Sequence, residues 1–108
     1  MSGYLAVDIQ HSKGKTGEKI AITGELTIYT VTELLRRLRA IPDLGKKNLT
    51  LDLSAVEQLD GAGVQLLLQL KKRMAEDRTL RVNAVNPLIE PVFQLLHLNP
   101  KTLCDATA

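Results

Sequence analysis

The side chains best placed to do chemistry stand in Gln58 to Leu67, QLDGAGVQLL, where an apolar run passes into a leucine-rich helical pattern. In α/β proteins a strand-to-helix junction of this kind often holds a nucleophile or cradles a phosphate. Here it offers one carboxylate, Asp60, followed by Gly61, Ala62 and Gly63, with no hydroxyl, thiol or imidazole. Hydrolysis or group transfer needs a nucleophile beside a base, paired carboxylates, or a metal held by several ligands. His11 falls in a polar stretch between two strand patterns and His97 near the end of the last helical pattern. No cysteine or second histidine stands at ligand spacing to either. Dinucleotide fingerprint, Walker loop and nucleophile elbow are all missing, and Gly-Ala-Gly alone is too short to mark a nucleotide site. The residues point away from an enzyme and call for no metal and no cofactor.

The turn itself admits two readings. Asp60 stands just before the helix, so its carboxylate can accept from the orphan N–H groups of the first turn, while Gly61 and Gly63 permit a sharp change of direction and close approach of another backbone. A phosphate at that helix end would be repelled by Asp60. The alternative is a partner-binding turn made of Asp60, Gly61, Ala62 and Gly63, whose small residues let another protein come close.

Regular elements must position this turn. Tyr4 to Ile9 and Lys19 to Thr23 read as two short strands joined by the turn-rich HSKGKTGEK. TIYTVTELLRRLRAI spaces Val31, Leu34, Leu35 and Leu38 along one helical face, with Thr30 or Thr32 as N-cap and Pro42 and Gly45 ending the run. In NLTLDLSAV, Leu49, Leu51 and Leu53 alternate with Thr50, Asp52 and Ser54, a strand with one face on the core. Val64, Leu67, Leu68, Leu70 and Met74 give the helix after the turn its apolar side, and Lys71 to Arg73 close it where cations complement the dipole. Leu80, Val82 and Ala84 form another strand. A last helix follows from Asn86 as N-cap and Pro87 as first helical residue, with Leu88, Ile89, Val92, Phe93 and Leu96 on its apolar face. Strands separated by three-turn helices predict an α/β fold. Its sheet is mostly parallel, with four to five strands, an antiparallel N-terminal edge strand and three to four helices.

At 108 residues the chain is sized for one domain spanning 1–108. Fourteen basic against twelve acidic residues, with Tyr4, Tyr29 and Phe93 the only aromatics, leave neither the cationic stripe nor the stacking platforms that nucleic acid requires. The basic cluster Arg36, Arg37, Arg39, Lys46 and Lys47 reads first as a solvated helix end and second as a partner patch. Cys104, the single cysteine, makes an internal disulfide impossible and suits a reducing compartment. MSGYLAVDIQHSKGK lacks the pattern of a secretion signal, and no apolar run is long enough to span a bilayer, so a cytoplasmic location without membrane insertion is expected.

Taken together, GELTIYTVTELLRRL, LTLDLSAVEQLDGAGVQLLLQLKKR and LRVNAVNPLIEPVFQLLHL resemble the STAS domain family, named for sulfate transporters and anti-sigma factor antagonists, along essentially the whole chain. Gly24, Glu25 and Leu26 correspond to the Gly-Glu-Leu-Asp of that family, Asp52 to Ser54 to its Asp-Leu-Ser, Asp60 to Gly63 to its Asp-Ser-Ser-Gly turn, and Asn86 and Pro87 to its last helix start. The resemblance implies a non-catalytic signalling module that binds protein partners. Those partners would be an anti-sigma-type or histidine-kinase-type ATPase or a chemosensory component, with homodimerisation left open. In phosphorylated family members the second serine of the turn is the acceptor, and the added charge of roughly −1.5 to −2 breaks the complex. This chain has Ala62 there and Gly61 at the first serine, while Thr27 stands where the family often has Asp. Direct transfer of the phospho-switch therefore fails. Thr27 and Thr30 are the hydroxyls of a candidate neighbouring site, with Thr32 and Ser54 as further hydroxyls that can approach the turn. LTIYT paired with DGAGVQLLL is similar to single-domain STAS proteins of bacterial chemotaxis clusters. An alternative implied by the same family is an accessory subunit of a lipid-transporting ABC complex of the Mla type, against which the missing turn threonine counts.

Overall fold

Backbone pairing carries the strands past the residues whose side chains alternate. The computed structural model describes residues 7–14 and 17–95, with the backbone only for 93–95. Its elements are β1 (Val7–Lys13), β2 (Glu18–Leu26), α1 (Val31–Arg39), β3 (Leu49–Leu59), α2 (Gly61–Lys72), β4 (Leu80–Val85) and α3 (Glu90–Leu95). The four strands form one sheet in the order β1-β2-β3-β4, antiparallel between β1 and β2 and parallel elsewhere. The expected mixed architecture, with its antiparallel N-terminal edge strand and three helices, is the one observed.

Leu49, Leu51 and Leu53 are buried with Ile20 and Ile22 of β2, and Leu34, Leu38, Val64, Leu67 and Leu70 of the two long helices join the same hydrophobic cluster. Lys19, Thr23 and Ser54, which point to the other face, are exposed. α1 is further tied to β1 by Arg37, which donates to Asp8 at 2.5 Å and to Glu33 at 3.0 Å. Hydrogen bonds first from Arg36 and then from Arg37 pull the Glu33 carboxyl down to about 2.

Three expectations are corrected. β1 runs on to Lys13, because the ladder with β2 needs only main-chain groups and the hairpin closes late, where Gly14 N–H donates to the Gly17 carbonyl at 2.7 Å. His11 is consequently a strand residue, its Nε2 2.5 Å from Oε1 of the buried Glu18. β3 extends to Leu59. Nine residues of β2 face eleven of β3, and the two extra residues are absorbed at register shifts beside Ala21/Thr23 and Gly24/Glu25. Those bulges turn the period-two burial of Leu49 to Leu53 into a period of three, with Val56 and Leu59 buried and the pairs between them exposed.

The last helix begins at Glu90. Asn86 does accept from Leu88 N–H at 2.9 Å, but Pro91 has no N–H to give the first turn, so 87–89 stay a turn and Leu88 points outward, 68% exposed. Tyr4, Leu5, Leu96, His97, Cys104 and the Phe93 side chain lie outside the described residues.

Candidate functional site

β2 and β3 finish opposite one another, Leu26 beside Leu59, and each strand leaves at once toward a helix. Asp60 is the whole connection on the β3 side. In an extended conformation (φ −128°, ψ −173°) it is the N-cap of α2 and joins three segments. Its Oδ1 accepts from Gly63 N–H at 3.1 Å, its Oδ2 accepts from Ile28 N–H at 3.0 Å, and its own N–H donates to the Leu26 carbonyl at 3.3 Å. Burial raises the carboxyl pKa, but backbone N–H groups of Ile28, Gly63, Ala62 and Asp60 itself outweigh it, so the net shift is downward and the group is held ionised. The capping role expected of Asp60 is present. The clamp on Ile28, thirty-two residues away in sequence, is additional.

The two glycines of the turn differ. A Cβ on Gly63 would sit 2.1 Å from the Leu26 carbonyl oxygen and 2.8 Å from Leu59 Cδ1, so only glycine lets α2 start this close to β2. Gly61 would meet nothing within 4 Å. Accordingly Gly63 is buried, Asp60 and Ala62 are half-buried, and Gly61 is exposed. Of the four turn residues, only Gly61 is exposed.

Thr27 and Thr30 lie beside the turn and inside it, at 6% and 4% exposure. Thr30 Oγ1 accepts from Thr27 N–H at 3.0 Å and donates to the Glu25 carbonyl at 2.9 Å. Thr27 Oγ1 donates to Glu25 Oε1 at 3.2 Å and accepts from Tyr29 N–H at 3.3 Å. Thr30 is thus the N-cap of α1 by position, yet its hydroxyl turns back to the end of β2 and makes no cap bond. In this fold both hydroxyls hold the loop. Thr32 is exposed in the first turn of α1. Ser54 is exposed on the open sheet face, its hydroxyl donating to Asp52 at 2.6 Å, roughly 20 Å of strand before the turn.

The tight 27–30 loop pushes two apolar side chains outward, Ile28 at 65% and Tyr29 at 90% exposure. Sequence pattern hid them. Ile28 continues the period-two series after Leu26, which predicts an inward side chain, but β2 ends at Leu26 and the 27–30 turn, whose Ile28 N–H is held by Asp60, breaks the series. The exposed groups are Gly61, Ile28 and Tyr29, with Ala62 and the Asp60 carboxylate half-buried beside them. Such a surface can be covered by another molecule but carries no nucleophile beside a base. Among the described residues no group of three or more His, Cys, Asp or Glu side chains converges as a metal site would, and no helix is long and apolar enough to cross a membrane.

The chain matches, over residues 10–103, the family model described as "Mlab, STAS domain". Its fold is shared by solved structures. An anti-sigma factor antagonist from Mycobacterium paratuberculosis, 21% identical, superposes with a TM-score of 0.74 over 84% of this chain and 78% of that one. The STAS domain of an antisigma-factor antagonist from Rhodobacter sphaeroides, 16% identical, gives 0.58 over 71% and 85%.

Proposed function

The chain belongs to the STAS domain family, and from that premise we propose that it is a non-catalytic regulatory module whose protein partner docks on the outward surface of the Asp60–Gly63 turn and the adjoining 27–30 loop. The observation that carries this reading is the exposure of Ile28 and Tyr29 beside Gly61 and Ala62, where Asp60 hydrogen-bonds both the 27–30 loop and the start of α2. Buried aromatic anchors ringed by small, well-packed neighbours supply most of the affinity in protein interfaces. A preformed corner also loses little conformational entropy on binding.

The partner is an ATPase of the anti-sigma or histidine-kinase type, or a chemosensory component, in the cytoplasm. The anti-sigma factor antagonists that share this fold support that choice. With Ala62 in place of a phosphoacceptor, the complex forms constitutively or is regulated elsewhere. Thr27 and Thr30 contribute by shaping the loop. A second reading has its own support, since the matching family model carries the Mlab description. In that reading the same corner docks on the ATPase of a lipid-transporting ABC complex.

Affinity capture with the wild-type chain and with Ala62→Glu tests the docking face and separates the readings by the ATPase recovered. Ala62 is half-buried in the first turn of α2, where a carboxylate complements the helix dipole, so the variant is expected to keep its fold while placing a phosphate-like charge at the corner. Recovery of the partner is expected to fall at least about tenfold. Equal recovery by both proteins would remove the turn from the interface.

A further inference from the structure

We propose that the groove between the C-terminal ends of α1 and α2 binds a single-chain carboxylate amphiphile, a free fatty acid of medium chain length. Both helices return from parallel crossovers, so their C-terminal ends share one end of the molecule, away from the turn. Between them lies a cavity of about 300 Å³ whose apolar lining is Leu35, Leu38, Ile41, Leu44, Leu66 and Leu70. That size falls at the lower end of small-ligand sites. Leu38, Leu66 and Leu70 are buried, whereas Leu35, Ile41 and Leu44 remain half-exposed to the cavity. The groove is a built feature. Asp43 (φ 61°) and Gly45 (φ 95°) both adopt left-handed backbone in the connecting loop, and Ala75 N–H donates to the Gly45 carbonyl at 2.8 Å, fastening the loop across the end of α2.

Charge selects the ligand. Arg36 and Arg37 are occupied by Glu33 and Asp8, and Lys46 lies 3.3 Å from Asp43. Arg39 and Arg73, which also line the cavity, have no carboxylate partner among the described residues. Cations at helix C-terminal ends complement the dipoles, which accounts for an arginine at either end but not for the aliphatic cavity between them. An apolar trough with two unspent guanidinium groups fits an alkyl chain ending in a carboxylate, the anion that arginine binds in bidentate fashion. The wall of α2 from Leu66 to Arg73 is roughly 12 Å long, enough for a medium alkyl chain. With the 41–46 loop closing the third side, the space suits a chain end better than a through-running peptide helix.

The test is a two-dimensional NMR titration of the ¹⁵N-labelled full chain with decanoate below its micelle concentration, alongside decan-1-ol and decyltrimethylammonium. Decanoate is expected to give saturable shifts confined to 35–46 and 66–75, and to bind at least about tenfold more tightly than the alcohol. Arg39→Gln with Arg73→Gln should erase that preference without changing thermal unfolding, since both side chains are exposed. Ala62→Glu should bind decanoate as the wild type does, so loss of partner docking and loss of this site are distinguishable. Equal affinity for all three amphiphiles, shifts centred elsewhere, no saturable binding, or occupation of the groove by an acidic peptide but not by decanoate would each overturn the proposal.

Discussion

The two ends of the helical layer are built by opposite means. At the end where β2 and β3 finish, backbone N–H groups hold the Asp60 carboxylate, the Thr27 and Thr30 hydroxyls are bonded into the loop, and Ile28, Tyr29 and Gly61 are exposed. At the end where α1 and α2 finish, aliphatic side chains stand half-covered beside Arg39 and Arg73, which have no carboxylate partner among the described residues. The crossover geometry itself separates them, because strands and returning helices must terminate at opposite ends. The proposed docking corner and the proposed anion groove therefore lie at opposite ends of the fold, and changes at one need not disturb the other.

The sharpest break in that comparison is Gly63→Val. A branched side chain cannot fit 2.1 Å from the Leu26 carbonyl, so the start of α2 must move away from β2. A loss of roughly 3 kcal/mol or more is expected in urea unfolding, against no comparable effect of substitutions in the groove. Near-wild-type stability would mean that the turn is not tightly seated. Asp60→Ala comes next, at about 1–2 kcal/mol, for the cap and the Ile28 clamp together.

The pH dependence of that difference carries its own sign. The folded carboxyl titrates below its unfolded value of about 3.9, so its contribution is complete above that value and is lost as pH falls through the folded pKa. Unfolding curves of the two proteins should be separated by a constant amount above about pH 5 and converge below about pH 4; a gap that widened in acid would contradict the clamp. Tyr29→Ala should change stability by less than about 0.5 kcal/mol, its ring being 90% exposed, yet lower partner recovery severalfold. Gly61→Ala is the smallest effect. With open space around its Cβ and ordinary helical backbone, stability should stay the same or rise by up to about 1 kcal/mol in a thermal melt.

How far the sequence could be read follows the same divide. Residues whose neighbours along the chain decide their environment were legible. Leu49, Leu51 and Leu53 alternate as expected, Asp60 caps α2, and the leucine face of α2 is buried. What escaped depended on neighbours in space. The bulges that let eleven residues of β3 face nine of β2 arise from pairing, and the Ile28 N–H is held by a carboxylate far along the chain. Nor could spacing distinguish Gly61 from Gly63, because the carbonyl that excludes a side chain at Gly63 belongs to β2. For α3 the sequence holds two competing signals, Asn86–Pro87 as a helix start and Pro91 as an obstacle to it, and the helix begins at Glu90. The resemblance to STAS domains rested on motifs at strand ends and turns, and the family match over residues 10–103 agrees with it.

Hydrogen exchange on the complex with the captured partner tests the docking corner most directly. Slowed exchange centred on residues 27–31 and 60–64, with 41–47 and the open-face residues of β3 unchanged, is the predicted footprint. Protection confined to the helix C-terminal end or to the open sheet face, with residues 60–64 exchanging as in the free protein, would contradict it.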